Sequence, residues 1–165
     1  MTDRISFQGE PGANSHLAAR EAFPNLEPMP CASFEDAFAA VIEGPARYAM
    51  IPVENSVAGR VADVHHLIPE SGLYIIAERF VPIKHQLLGL NDATLAGLTH
   101  VRSHPQALGQ CRKELRALGV TAVKTADTAG AAREVAELGD AHVGALASKL
   151  AGEIYGLKVL KADIA

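Results

Sequence analysis

Three short polar runs stand where an apolar, strand-like run gives way to a helical pattern: Gly12-Ala13-Asn14-Ser15, Glu54-Asn55-Ser56 and Ser103-His104-Pro105-Gln106. Helix starts carry unpaired backbone N–H groups and a partial positive charge, so several around one cleft favour a carboxylate-bearing ligand. The plainer reading of each run is a cap, which Ser and Asn supply in any fold. Ser103 and Gln106 have capping-box spacing. Gln110 lies two turns beyond Ser103 and one beyond Gln106, so all three point along one helix face. An amide there either donates to a ligand hydroxyl or carboxylate or faces solvent. Glu54-Asn55-Ser56 is the most suggestive run, because a cap explains Asn55 or Ser56 but not both with Glu54 beside them.

Other chemistries find no footing. The seven histidines, at 16, 65, 66, 85, 100, 104 and 142, form no metal-ligand spacing with each other or with cysteine. His65-His66 on a helix reads as one exposed and one half-buried ring. No nucleophile elbow and no Cys-His hydrolase pattern occurs, and the first glycine loop lacks the Walker and dinucleotide spacings. Net charge is −4 with no Lys/Arg block, which argues against nucleic acid as a partner. No apolar stretch approaches the ~18 residues of a membrane span, and the N-terminus leads straight into a strand-like run without a signal-peptide core. Cys31 and Cys111 lie far apart, in neither a metal nor a redox spacing. The expectation is a cytoplasmic protein with a small-molecule ligand, no metal, no nucleic acid and no membrane.

The elements that must position these residues follow a βαβα rhythm. Strands are expected at Arg4 to Gln8, Leu26 to Ala32 and Tyr48 to Val53. Helices are expected from Asn14 or Ser15 to about Phe23, from the Ser33 cap to Gly44, and from about Val57 to Ile68, with Pro69 as a stop. Leu73 to Phe80 and Ile83 to Leu90 read as long strands carrying the chain into a second lobe. There the rhythm resumes: a strand at Thr99 to Arg102, a helix from His104 to about Leu118, and a strand at Val120 to Lys124. A helix capped by Asp127-Thr128 follows, then a strand at His142 to Ala147, a short helix to Tyr155 and a last strand at Leu157 to Leu160 returning to the first lobe. The 165 residues thus suit an α/β chain of two lobes with a cleft between them. Residues 1–75 and about 157–165 form the first lobe, and residues 76–156 the second.

Taken together, Gln8 to Ser15, Ile51 to Ser56 and Ser103 to Cys111 resemble, in order, the signature segments of prephenate dehydratase. Asp127 to Ala132 and Glu153 to Leu157 are also similar to that family, so the likeness runs over nearly the whole chain. Plant arogenate dehydratases share the same segments.

The resemblance implies a fold like the type 2 periplasmic binding proteins. It implies a lyase that converts prephenate to phenylpyruvate by decarboxylating dehydration in phenylalanine biosynthesis, without a cofactor. It implies Glu54, Asn55, Ser103 and Gln110 as catalytic residues, with Asn55 and Gln110 donating hydrogen bonds to the substrate and Glu54 orienting them or relaying a proton. Ser15, Ser56, Gln106 and Thr128 form the implied substrate-binding set, Ser15 serving a carboxylate. A homo-oligomer, dimer or tetramer, is implied for the full-length protein. Arogenate dehydratase and a non-catalytic ligand-binding module of the same fold are the alternatives. Many members carry Thr where this chain has Ala13, and the family's Thr-Arg-Phe motif and regulatory ACT domain lie beyond the segments matched here. Little or no turnover is therefore expected of residues 1–165 alone, since a missing general acid costs about 10²–10⁴ in rate.

Overall fold

The structure is a computed structural model that describes residues 3–165. The chain divides into two compact units, one holding the residues up to Glu10 together with Asn14–Val81, the other Pro11–Ala13 together with Pro82–Ala165.

In the first unit the order is β1 (Arg4–Gln8), α1 (Asn14–Ala22), β2 (Glu27–Cys31), α2 (Phe34–Glu43), β3 (Tyr48–Ala49), β4 (Glu54–Asn55), β5 (Gly59–Arg60) and α3 (Ala62–Ser71). Strands β2, β1 and β3 form a parallel sheet with β1 in the centre. Parallel pairs need a crossover, which α1 and α2 supply. Ile5 and Phe7 are buried, and the intervening Ser6 is buried with its hydroxyl donating to the Ala37 carbonyl at 2.8 Å, so the central strand hides both faces. Ser33 caps α2 by accepting from the Asp36 N–H at 3.1 Å, and Gly44 ends it at φ 103°.

The second unit runs β6 (Gln86–Gly89), β7 (His100–Ser103), α4 (Pro105–Gln110), α5 (Arg112–Leu118), β8 (Thr121–Lys124), α6 (Thr128–Leu138), β9 (Val143–Ala147), α7 (Lys149–Tyr155) and β10 (Lys158–Lys161). The sheet order is β10-β6-β9-β7-β8; β7 is parallel to β8 and β9, while β6 is antiparallel to β9 and to β10. Strand alternation sends Leu88, Ala145 and Ala147 to the face covered by Ala131, Ala132, Val135 and Ala151, and Leu87, Val101 and Leu146 to the face covered by Leu108, Leu115 and Ile164. Each face thus rests on its own helix pair, and each buried Leu is worth about 1.5–3 kcal/mol.

Five expectations need correction. The last strand does not return to the first lobe: β10 pairs with β6, because Lys158 to Lys161 find an open edge there and Leu157 and Ile164 enter the cores on either side. The division of the chain falls at Val81/Pro82 and not at residue 75. Leu73 to Phe80 is not a strand; it carries β-prone side chains but meets no pairing edge among the described residues, and Tyr74 and Phe80 are each 90% exposed. Residues 57–60 belong to a β-turn hairpin, so α3 starts only at Ala62, and Pro69 lies inside its last turn instead of stopping it. Finally, Ser103 is not a cap. A residue before proline is held extended, and proline fits the first helical position, so His104 takes the cap and its Nδ1 accepts from the Gln106 N–H at 3.1 Å.

Candidate functional site

In the first unit, Glu54 and Asn55 form β4, an antiparallel two-residue ladder with β5 in which Glu54 stands opposite Arg60. The turn between is closed by Asn55, whose Oδ1 accepts from the N–H groups of Val57 at 2.9 Å and Ala58 at 3.1 Å. This Asx-type closure uses the carbonyl end of the amide and leaves its NH2 as the donor end. Ser56, inside the turn, is exposed, as is Glu54. His65 braces the hairpin with its Nε2 at 3.1 Å from the Val53 carbonyl oxygen. His65 is half-buried and His66 exposed, as the sequence suggests. Ser15 sits half-buried in the first turn of α1, one turn before Ala19 of the core.

In the second unit, Ser103 ends β7 fully buried, its hydroxyl donating to the Leu146 carbonyl on β9 at 2.8 Å. That bond ties the strand end from which α4 springs. Gln106 lies in the first turn of α4 with its Nε2 buried and unpartnered among the described residues. Leaving a buried donor unpaired costs about 1–3 kcal/mol. Gln110 ends the same helix half-buried, and its Oε1 lies 2.8 Å from Nε2 of His85. His85 is 5% exposed and flanks β6, 25 residues away in the chain. In the sequence His85 is one of seven histidines without metal spacing; no local signal ties it to Gln110, since only the sheet, with β9 between β6 and β7, brings the two residues together.

Thr128 opens α6 after Asp127, whose carboxylate accepts from the Gly130 N–H. A Cβ at Gly130 would lie 2.9 Å from that carboxylate, which explains the glycine two residues after Thr128. Burial, and secondarily Glu114, pushes the Cys111 thiol up to about 11, so this neighbour of Gln110 stays protonated and is no nucleophile. Among the described residues no group of three or more His, Cys, Asp or Glu is arranged to hold a metal ion.

The glycine loop has a structural duty inside the second unit. Gly12 adopts φ 97°, and a Cβ there would stand 2.7 Å from the Ala151 Cα. Its carbonyl accepts from the Ser148 hydroxyl at 2.6 Å, and the Pro11 carbonyl accepts from Tyr155 at 2.7 Å. Ser148 in turn caps α7 by accepting from the Ala151 N–H. Loop and helix cap are therefore one hydrogen-bonded unit, and only glycine fits at their closest approach.

Comparison with known proteins gives the family. A family model described as prephenate dehydratase matches residues 5–165. A bifunctional N-acyl-homoserine lactone acylase/prephenate dehydratase of Komagataeibacter europaeus is 46% identical over 160 residues, 97% of this chain and 57% of that protein. The chloroplastic arogenate dehydratase/prephenate dehydratase 1 of Arabidopsis thaliana is 45% identical over 161 residues, covering 98% of this chain and 41% of its own. Among solved structures, a prephenate dehydratase from Arthrobacter aurescens in complex with L-Phe superposes with TM-score 0.89 at 28% identity, covering 98% of this chain and 55% of that one. The chain belongs to the prephenate dehydratase family. It spans about two fifths to three fifths of the length of the relatives it matches. Among the described residues no helix is long and apolar enough to cross a membrane.

Proposed function

We propose that the protein is a lyase that turns prephenate into phenylpyruvate, carbon dioxide and water. The observation that carries this is the family match over residues 5–165, which contains both polar sets whole. The reaction breaks the bond from the ring to one carboxylate, and that electron pair moves through the ring to expel the hydroxyl, which leaves as water after gaining a proton. Aromatisation drives both losses. The protein has to hold a dianion, protonate the departing hydroxyl and exclude solvent.

Donors suit a dianion. Asn55, with its Oδ1 committed to the turn, offers its NH2 to the substrate. Gln110 and Gln106 donate from α4, and the unpartnered Gln106 Nε2 supports a ligand acceptor there. Glu54 orients Asn55 or relays the proton, while Ser15, Ser56 and Thr128 contact the carboxylates. Ser103, with its one hydroxyl hydrogen already donated to Leu146, supports α4 and meets a ligand only as an acceptor. A cytoplasmic location and a homo-oligomeric full-length protein belong to the same reading. The free, buried Cys31 and Cys111 suit a reducing compartment.

Purified full-length protein is to be incubated with prephenate and, separately, with arogenate, and phenylpyruvate and phenylalanine quantified. Phenylpyruvate release that falls about 100-fold in Asn55→Ala supports the reading. Preference for arogenate makes the protein an arogenate dehydratase, and binding of prephenate without release makes it a ligand-binding module. The identity to the bifunctional Komagataeibacter protein favours one second reading, hydrolysis of an N-acyl-homoserine lactone. Release of free fatty acid from such a lactone in the same preparation tests it.

A further inference from the structure

We propose that His85 is a positioning residue that commits the Gln110 amide to donate. The inference rests on the lyase reading for the substrate, but its geometry stands within one unit. An amide side chain is ambivalent: rotated by 180° it presents either an acceptor or a donor to a ligand. Beside Gln110 the Nε2 of His85 lies 2.8 Å from Oε1. An amide oxygen has no proton, so the ring must donate, and Nε2 carries the hydrogen. With the hydrogen on Nε2, the rotated amide would set NH2 against N–H beside a ring only 5% exposed. The Gln110 NH2 therefore faces away from His85, and a bound anion meets a donor.

The backbone that carries the ring is held. The His85 backbone carbonyl accepts from the Ile164 N–H at 3.0 Å. The next residue, Gln86, is clamped by Asp163: its Nε2 donates to the carboxylate at 2.8 Å, and its Oε1 accepts from the Asp163 N–H at 3.2 Å. Ile164 is buried at 2% exposure, which anchors the clamp in the core. Three consecutive contacts thus fix the start of β6, and with it the donor that orients Gln110. The recognition is of a carboxylate or hydroxyl oxygen, never of a donor group on the ligand.

Two measurements test this in the full-length protein. A long-range ¹H–¹⁵N spectrum should show a hydrogen on Nε2 of His85; an Nε2 without a hydrogen overturns the proposal. In steady-state kinetics with prephenate, His85→Leu should lower kcat/KM about 10–100-fold, and His85→Gln, whose NH2 replaces the Nε2–H donor, should recover most of the loss. In a Gln110→Ala background His85→Leu should cost nothing more, because the residue acts through Gln110. Equal losses in both backgrounds, or no loss in a folded His85→Leu protein, overturn it. If His85→Leu does not fold, the tautomer decides. If wild-type protein releases no phenylpyruvate, the lyase reading fails on its own, and the tautomer still decides how Gln110 is turned.

Discussion

Asn55 and Gln110 carry the same functional group in two different kinds of setting. Asn55 is oriented by backbone N–H groups two and three residues away, in a hairpin whose flanking residues are exposed. Gln110 is oriented by a buried side chain 25 residues away, brought to it by the packing of the second unit. Both amides end with the oxygen engaged and the NH2 offered. One arrangement survives wherever the local hairpin forms; the other exists only when the second unit is fully packed. A donor can thus be prepared by local turn chemistry or by tertiary packing, and the two should fail differently.

The largest expected difference between function and fold lies in oxygen-preserving substitutions. Asn55→Asp keeps the acceptor that closes the turn, and Gln110→Glu keeps the acceptor for His85, yet each removes the NH2 that we propose donates to substrate. Loss of a preorganised donor costs about 10²–10³ in turnover. We expect both variants to fold with wild-type circular dichroism and to lose phenylpyruvate formation by that factor in the full-length protein. Retained turnover in either would remove that amide from the site.

Gly12→Ala should come next, with a loss of about 3 kcal/mol in urea denaturation, from a positive φ and a Cβ 2.7 Å from the Ala151 Cα together. The loss belongs to the second unit, so amides of β9 and α7 should lose exchange protection first. A substitution tolerated within 0.5 kcal/mol would show that the loop shifts at little cost.

The truncations sharpen the contrast further. Gln110→Ala leaves the buried His85 N–H without an acceptor and should cost about 1–3 kcal/mol of stability. Asn55→Ala exposes two turn N–H groups to water and should cost about 1 kcal/mol or less, read in the same denaturation series. Equal costs would mean that the hairpin is as integrated as the sheet.

The smallest expected effect is a difference in acid response. Burial, and then Arg20, lowers the His16 pKa below its ordinary 6.5, where the ring stacks on Phe7 at 5.1 Å. A lowered folded value means that the neutral ring is favoured in the fold. Its contribution is full above pH 6.5 and lost as pH falls through the folded value. The hydrogen bond and charge of Lys161 hold Glu114 below its ordinary 4.5, so that contribution is full above pH 4.5 and lost only in stronger acid. Hydrogen exchange at pH 5.5 should show β1 of the first unit weakened before α5 of the second, and His16→Phe should remove the early step. Simultaneous weakening would contradict the assignment.

How far the sequence could be read follows the same division between local and tertiary causes. The caps at Ser33 and Asp127, the glycine stops at Gly44, Gly119 and Gly139, and the order of strands and helices are written in neighbouring residues. The turn role of Asn55 is local too, although the hairpin hid inside an expected helix because Val57 and Val61 fit either pattern. The His104 cap was readable from the proline that follows it. Other features depend on contacts made far along the chain. Nothing around Lys158 to Lys161 says that the strand joins β6, and nothing around His85 says that it meets Gln110. Leu73 to Phe80 shows the limit from the other side, since β propensity without a pairing edge gives exposed side chains and no strand.

The central claim is that this chain's donors serve a reaction and not only a binding event. The direct measurement is a carbon balance on the full-length protein with prephenate labelled with ¹³C in the ring-borne carboxylate. The account predicts labelled carbon dioxide and phenylpyruvate in equal amounts, both suppressed together in Gln110→Glu. Saturable binding of prephenate with neither product, or release that Gln110→Glu leaves unchanged, would contradict it.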